Sequence, residues 1–339
     1  MKRALQKKIV SIAALALFQI WALQALTVDA AESEPEPVQL EKLRETYANP
    51  ASRFIDVDGV ELHYTDEGSG FPVLLLHASY TNLESWRDVA AALKDNYRVI
   101  RLDFPAVGLS GIESRYPESG RLNLIQRNIA IVGKFIDRLS IDELNIIATS
   151  SGGSVGFGYA SREPERVNRL VLINSAGMPR TRQTDPNRVR PDIQAWQKMR
   201  YKPREYWEYS VGRNFPSGTK PPEWFLKLVY DLNRRTPGAD LARYAFTTGN
   251  PQEVLSRIRA PTLILWGEAN LTVMHLEADV ISLWMTSAPT LVKKYPNLGH
   301  YPYIEAPEVV IPDIINFLAG EMDSEMRQTL RADVPVNAK

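Results

Sequence analysis

The stretch Asn145-Ile-Ile-Ala-Thr-Ser150-Ser-Gly-Gly153 decides the fold more than any other in the chain. An apolar run of strand character enters a serine flanked by small residues, and a small-residue helix start follows. A strand turning this sharply into a helix holds the serine hydroxyl above the sheet, and it accepts only small neighbours two positions away on each side. Those neighbours are Ala148 and Gly152. The free N–H groups of the helix start, with their partial positive charge, face any oxyanion formed beside Ser150. Read alone, the stretch also fits a Ser- and Gly-rich turn with no reactivity.

Outward from that turn, short β-branched runs alternate with amphipathic stretches, the pattern of a mostly parallel sheet wrapped by helices. The runs predict strands at 54–57, 61–65, 73–77, 98–103, 144–149, 169–174, 262–266 and 290–294. Helices are predicted at 83–93, 122–139, 152–162, 273–285 and 307–318. Between 178 and 260 strand signals vanish, Pro is frequent and aromatic residues crowd in, which reads as an inserted helical cap. That block holds 16 Lys+Arg against 8 Asp+Glu, so the neutral total hides an asymmetry. Its aromatics either pack a core of the cap's own, or form an underside for an anionic or aromatic substrate or for anionic lipid. The expected organisation is a core of 52–177 and 261–322, the cap at 178–260 and a tail at 323–339.

The whole chain has 339 residues, with 44% hydrophobic and 24% charged, the composition of an ordinary globular protein. Lys+Arg and Asp+Glu are both 40, which argues against nucleic-acid binding through bulk charge. With no Cys, disulfide scaffolds, zinc ribbons and thiol nucleophiles are excluded. Four histidines, His63, His77, His275 and His300, are too few for a metal site built on imidazoles, and no metal is expected.

The first residues read as an export segment. Lys2, Arg3, Lys7 and Lys8 form a basic head, and residues 9–28 carry no charge. As a helix that run rises about 30 Å, enough to cross a bilayer core. It is long for a cleaved signal, yet Val28-Asp29-Ala30 offers small residues for cleavage after Ala30. Anchor and signal both direct the remainder to the non-cytoplasmic side. The expectation is an exported, periplasmic or extracytoplasmic protein, membrane-attached through residues 9–28 if these are retained. Residues 32–51, acidic and Pro-bearing at the start, then read as a tether.

Four further motifs flank the Ser150 turn. They are His77-Ala78-Ser79 after an early strand, Asp103-Phe-Pro-Ala-Val-Gly-Leu-Ser110, Pro261-Thr-Leu-Ile-Leu-Trp-Gly-Glu268, and Leu298-Gly-His300 followed by Glu305-Ala-Pro307. In this order, from Phe54 to Leu318, the chain resembles the α/β-hydrolase fold superfamily, most of all its capped serine esterase and C–C hydrolase branches. The resemblance implies a mostly parallel, eight-stranded sheet flanked by helices, with its site at the strands' carboxyl edge under the cap. It implies Ser150 as nucleophile, His300 as base, and the N–H groups of Ser79 and Ser151 as oxyanion hole. His77 matches a structural turn residue. His63 and His275 match nothing and read as surface or half-buried residues.

The third member departs from the pattern. The resemblance places an Asp where Asn270 stands, and the other customary seat holds Asn174. In serine proteases an Asn in the acid's place costs about 10⁴ in turnover, roughly 5.4 kcal/mol of barrier. Three readings follow: Asn270 orients His300, a displaced carboxylate (Glu268, Glu277 or Asp279) serves instead, or hydrolysis is lost and a pocket retained. Ala78, Ala106 and Ala148 stand where many relatives carry Gly, which is costly only where φ is positive. A serine nucleophile argues against haloalkane dehalogenase and epoxide hydrolase chemistry. The expected activity is hydrolysis of a small or medium carboxylic ester, or of a related acyl or C–C substrate, through an acyl-Ser150 intermediate. The alternative is a binding protein without hydrolysis. A small-molecule substrate is the expected partner, and no cofactor is implied.

Overall fold

Runs that are apolar at every position suit strands buried on both faces, and such runs form the middle of the sheet. In the computed structural model the described residues are 34–112, 123–178, 190–216, 218–238, 247–322 and 324. The chain divides between Pro35 and Glu36, and the fold below is that of the part from Glu36 onward. The expected export segment and, apart from Ser324, the expected tail lie outside the described residues.

The elements run β1 (Val38–Gln39), α1 (Leu40–Tyr47), β2 (Ser52–Val57), β3 (Val60–Glu67), β4 (Phe71–Leu76), a 3-10 turn (Leu83–Trp86), α2 (Arg87–Leu93), β5 (Tyr97–Leu102) and α3 (Leu124–Arg138). Then come β6 (Leu144–Thr149), α4 (Ser150–Arg162), β7 (Val167–Ile173), α5 (Pro191–Lys198), α6 (Arg204–Gly212), α7 (Glu223–Leu232) and β8 (Arg235–Thr236). The chain continues through α8 (Pro251–Ser256), β9 (Thr262–Gly267), α9 (Leu276–Trp284), β10 (Thr290–Tyr295), α10 (Pro302–Glu305) and α11 (Pro307–Leu318). Eight strands make one sheet in the order β10-β9-β7-β6-β4-β5-β3-β2. It is parallel from β10 to β5, while β3 is antiparallel to both β5 and β2. The β2–β3 hairpin turns at Asp58-Gly59, both at positive φ, the residue pair such tight turns favour.

Alternation along the central strands sends successive side chains to opposite faces. Leu74, Leu76, Ile146, Leu170, Leu172 and Ile264 meet α3, α4 and α9 on one side. Val73, Leu75, Ile147, Val171, Leu263 and Leu265 meet α2, α11 and the inserted α6 and α7 on the other. Each such side chain contributes roughly 1.5–3 kcal/mol by leaving water. Every predicted strand and helix is found. Helix α3 starts at Leu124 rather than 122, because the Asn123 side chain accepts the N–H groups of Ile125 and Gln126 and so fixes the start.

The stretch expected as a tether is built otherwise. Within 32–51, β1 pairs in parallel with β8 of the insertion. On α1, Leu43 packs with Leu109 and Leu232, and Arg44 donates to Leu109 O and pairs with Glu61 at 2.7 Å. Residues 38–47 are therefore a strap tying the insertion to the sheet's loops. Trp207, Phe215 and Phe225 of the insertion join the sheet's own core. Among its cations, Arg204 pairs with Glu223 and Arg234 with Asp231.

Candidate active site

At the end of β6 the chain reverses through Ser150, whose φ is +52°. Left-handed backbone is costly for a residue with a Cβ, roughly 1–2 kcal/mol, and surrounding contacts hold it here. The Ser150 carbonyl accepts the Ala176 N–H at 2.9 Å, and Thr149 Oγ1 donates to Ile173 O at 2.9 Å. The need for small neighbours is visible in the contacts. A Cβ on Gly152 would lie 2.4 Å from His77 O, and one on Gly153 would lie 2.2 Å from Ser175 Oγ. Ser150 is 8% exposed and stands at the first turn of α4.

The turn after β4 comes alongside. Ser79 Oγ donates to Ser151 Oγ at 2.8 Å, so the two residues expected to supply oxyanion donors are neighbours. His77 beneath them is buried and has a single neutral form. Its Nδ1–H donates to Ala78 O at 2.7 Å, and its Nε2 accepts the Phe104 N–H at 3.2 Å. Burial keeps its pKa low, so it is a turn support, as its position predicts.

His300 sits on the loop after β10, 2% exposed. Three residues hold that loop. Glu305 accepts the N–H groups of Gly299 (2.6 Å) and Tyr301 (2.9 Å), on either side of the imidazole. Burial pushes its carboxyl up, against those two hydrogen bonds. Asn174, at φ +43° after β7, donates through Nδ2 to the Gly299 and His300 carbonyls at 2.9 and 3.0 Å. Its Oδ1 accepts the Gly267 N–H at 3.1 Å. The insertion supplies Asn214, whose carbonyl accepts the His300 N–H at 2.6 Å. Sequence reasoning missed the positioning roles of Asn174 and Asn214, because both act through backbone groups distant in sequence. Glu305 carried a signal, standing in the motif after His300.

The imidazole packs edge-on against Tyr301 but has no hydrogen-bonded support at Nδ1. His300 Nδ1 and Asn270 Nδ2 are both buried without a hydrogen-bond partner. Asn270 Oδ1 is taken by the Thr272 and Val273 N–H groups at 2.8 and 3.2 Å, so the amide faces its own loop. Glu268, half-buried after β9, does not hydrogen-bond Nδ1 either. Asp279 is engaged by Lys294 at 2.6 Å, and Glu277 lies on the first turn of α9. Burial alone pulls the His300 pKa down to about 4. Forming the imidazolium therefore costs about 3 kcal/mol more than in water.

His63, expected at the surface or half-buried, is 3% exposed. Its Nδ1 meets Asp103 Oδ2 at 2.8 Å and its Nε2 meets Ser52 Oγ at 2.9 Å. Asp103 in turn accepts the N–H groups of Leu83 and Leu109, anchoring the loops on both sides of the Ser79 turn. Burial raises the Asp103 carboxyl, but the His63 hydrogen bond and the charges and N–H groups around it outweigh that and hold it below the usual carboxylate range. This serine–imidazole–carboxylate chain braces the fold, since its serine lies in the β2 ladder and not on a turn. His275 is exposed. Of the three alanines in glycine-like seats, only Ala106 has positive φ, +61°. Among the described residues, no group of His, Asp and Glu is arranged to hold a metal, and no helix is long and apolar enough to cross a membrane.

Comparison with known proteins agrees with this fold. Residues 72–307 match the α/β hydrolase fold family. The chain is 27% identical over 285 residues to 2-hydroxy-6-oxo-6-(2'-aminophenyl)hexa-2,4-dienoic acid hydrolase of Metapseudomonas resinovorans, covering 80% of this chain and 92% of that one. It is 33% identical to cis-3-alkyl-4-alkyloxetan-2-one decarboxylase of Shewanella oneidensis, but only over 36% of this chain and 38% of that one. The solved structure of a membrane phospholipase A shares the fold with a TM-score of 0.64 at 22% identity, covering 94% of this chain and 99% of that one. With its eight-stranded sheet, its positive-φ serine between β6 and α4 and the match across most of its length, the chain belongs to the α/β hydrolase fold family.

Proposed function

We propose that this chain is an exported serine hydrolase cleaving a small or medium carboxylic ester, or a related acyl or C–C substrate. Ser150 Oγ attacks the carbonyl carbon while His300 takes its proton. The oxyanion is met by the N–H groups of Ser79 and Ser151, and His300 returns the proton to the leaving group. Water, deprotonated by the same imidazole, then releases the acid from acyl-Ser150. The inserted helices serve as the cap over this site. One observation carries the reading: Ser150 is held at φ +52° where β6 meets α4, beside the Ser79–Ser151 contact. Export rests on the basic head and the uncharged residues 9–28.

The unpartnered Nδ1 of His300 favours a second reading, a pocket that binds without turnover. The two part on turnover of p-nitrophenyl esters from acetate to octanoate. The hydrolase reading predicts measurable turnover that falls by about 10³ or more in Ser150→Ala and in His300→Ala. Turnover that survives Ser150→Ala overturns the nucleophile assignment, and none in the native protein favours the binding reading.

A further inference from the structure

A guanidinium taken out of water needs a hydrogen-bonded counter-charge or a full set of acceptors, and Arg235 has neither. It is 4% exposed. Its Nε donates to Pro237 O at 3.1 Å and its Nη1 to Gly108 O at 3.0 Å, both neutral carbonyls. Its Nη2 is buried with no partner. Burial pulls its pKa down to about 10, against the attraction of Asp103. The Asp103 oxygens are already committed to His63 and to the Leu83 and Leu109 N–H groups.

Arg235 lines a cavity of about 30 Å³ together with Arg200, Tyr201, Tyr80, Ala106 and Gly108, and among the described residues no acidic side chain lines it. Tyr80 directly follows Ser79, so one wall of the cavity belongs to the turn expected to supply an oxyanion donor. Asn233 Nδ2 ties that wall to the insertion by donating to Tyr80 O at 2.8 Å. An unpaired N–H of a planar fork matches a carboxylate oxygen in charge and geometry.

We propose that this cavity is the subsite for a carboxylate carried by the substrate, with the Arg235 guanidinium as its principal donor. The proposal rests on Ser150 as the reacting centre, and it names the substrates as acidic esters or acyl compounds rather than neutral ones. The cavity is also large enough for a single water, which is the competing occupant.

The test uses the full chain carrying Ser150→Ala, titrated by calorimetry with monomethyl glutarate and with dimethyl glutarate. These differ by one charge and both keep an ester carbonyl. The monoacid is expected to bind at least about tenfold more tightly, less so in high salt. The preference is expected to vanish in Arg235→Gln. Should that variant unfold, Ala106→Asp places a carboxylate in the cavity wall with Arg235 intact, and it too is expected to abolish the preference. Equal binding of the two ligands means that only water occupies the cavity, and it overturns the proposal. A preference surviving either folded variant overturns it as well. Because Ser150→Ala removes turnover, this result is independent of hydrolysis. A failed preference leaves the nucleophile reading standing, and an inert Ser150 with a retained preference leaves the subsite standing.

Discussion

Asn270 is the residue on which the proposed chemistry turns. Its Oδ1 is fixed by the Thr272 and Val273 N–H groups, leaving Nδ2, a donor, without a partner. A donor cannot hold an imidazole with its proton on Nδ1, the form that leaves Nε2 free to act as base. Asn270→Asp keeps the two loop hydrogen bonds and replaces the idle donor with a charged acceptor. The acidic limb of kcat/KM, expected near pH 4 in the native protein, should move upward by a unit or more. Turnover at pH 7 should rise at least about tenfold. A pH–rate profile unchanged in both respects places the supporting carboxylate elsewhere. From sequence the Asn was visible as a departure, but its consequence was not. Which amide atom is committed depends on the Thr272 and Val273 backbone.

At the scale of elements, the site is an agreement between loops at one edge of the sheet. Asn174 links the end of β7 to the His300 loop and to the end of β9. Here an acid would be harmful. Asn174→Asp sets a carboxylate oxygen against the two carbonyls that Nδ2 now serves, each left without its donor. The expected cost is about 2–4 kcal/mol of stability, seen in denaturant unfolding, with a fall in ester turnover. Unchanged stability would show that these hydrogen bonds do not hold the loop. The strands around this edge were legible because their apolar runs are continuous and short. The strap was not. Leu40 and Leu43 alone mark a buried face on α1, and β1 finds its partner at Arg235 and Thr236, far along the chain. His63 was misread for a similar reason, since its burial comes from Asp103 on another strand's end.

Over the whole molecule, two of the three buried imidazoles, His77 and His300, weaken the fold in acid. Burial lowers the pKa of both His77 and His300, the latter to about 4. Between an ordinary histidine pKa of about 6.5 and those lower values, the unfolded chain binds protons that the folded chain does not. Stability is therefore complete above pH 6.5 and falls as pH drops through that window. Thermal melts from pH 7.5 to 4.5 should show a decreasing Tm, with a smaller decrease in Asn270→Asp, where the new carboxylate raises the His300 pKa. A flat Tm over this range would contradict the burial of neutral imidazoles. The charge asymmetry of 178–260 was plain in the sequence, yet its meaning needed the fold. Arg204 and Arg234 are paired with carboxylates, whereas Arg235 is buried against the sheet's loops.

The central claim is that Ser150 is chemically activated in this fold. Intact-mass analysis of residues 32–339 after treatment with a fluorophosphonate tests it without knowledge of the substrate. A single adduct is expected in the native sequence and none in Ser150→Ala of equal thermal stability. No adduct on folded protein, or an adduct that persists in Ser150→Ala, would contradict it.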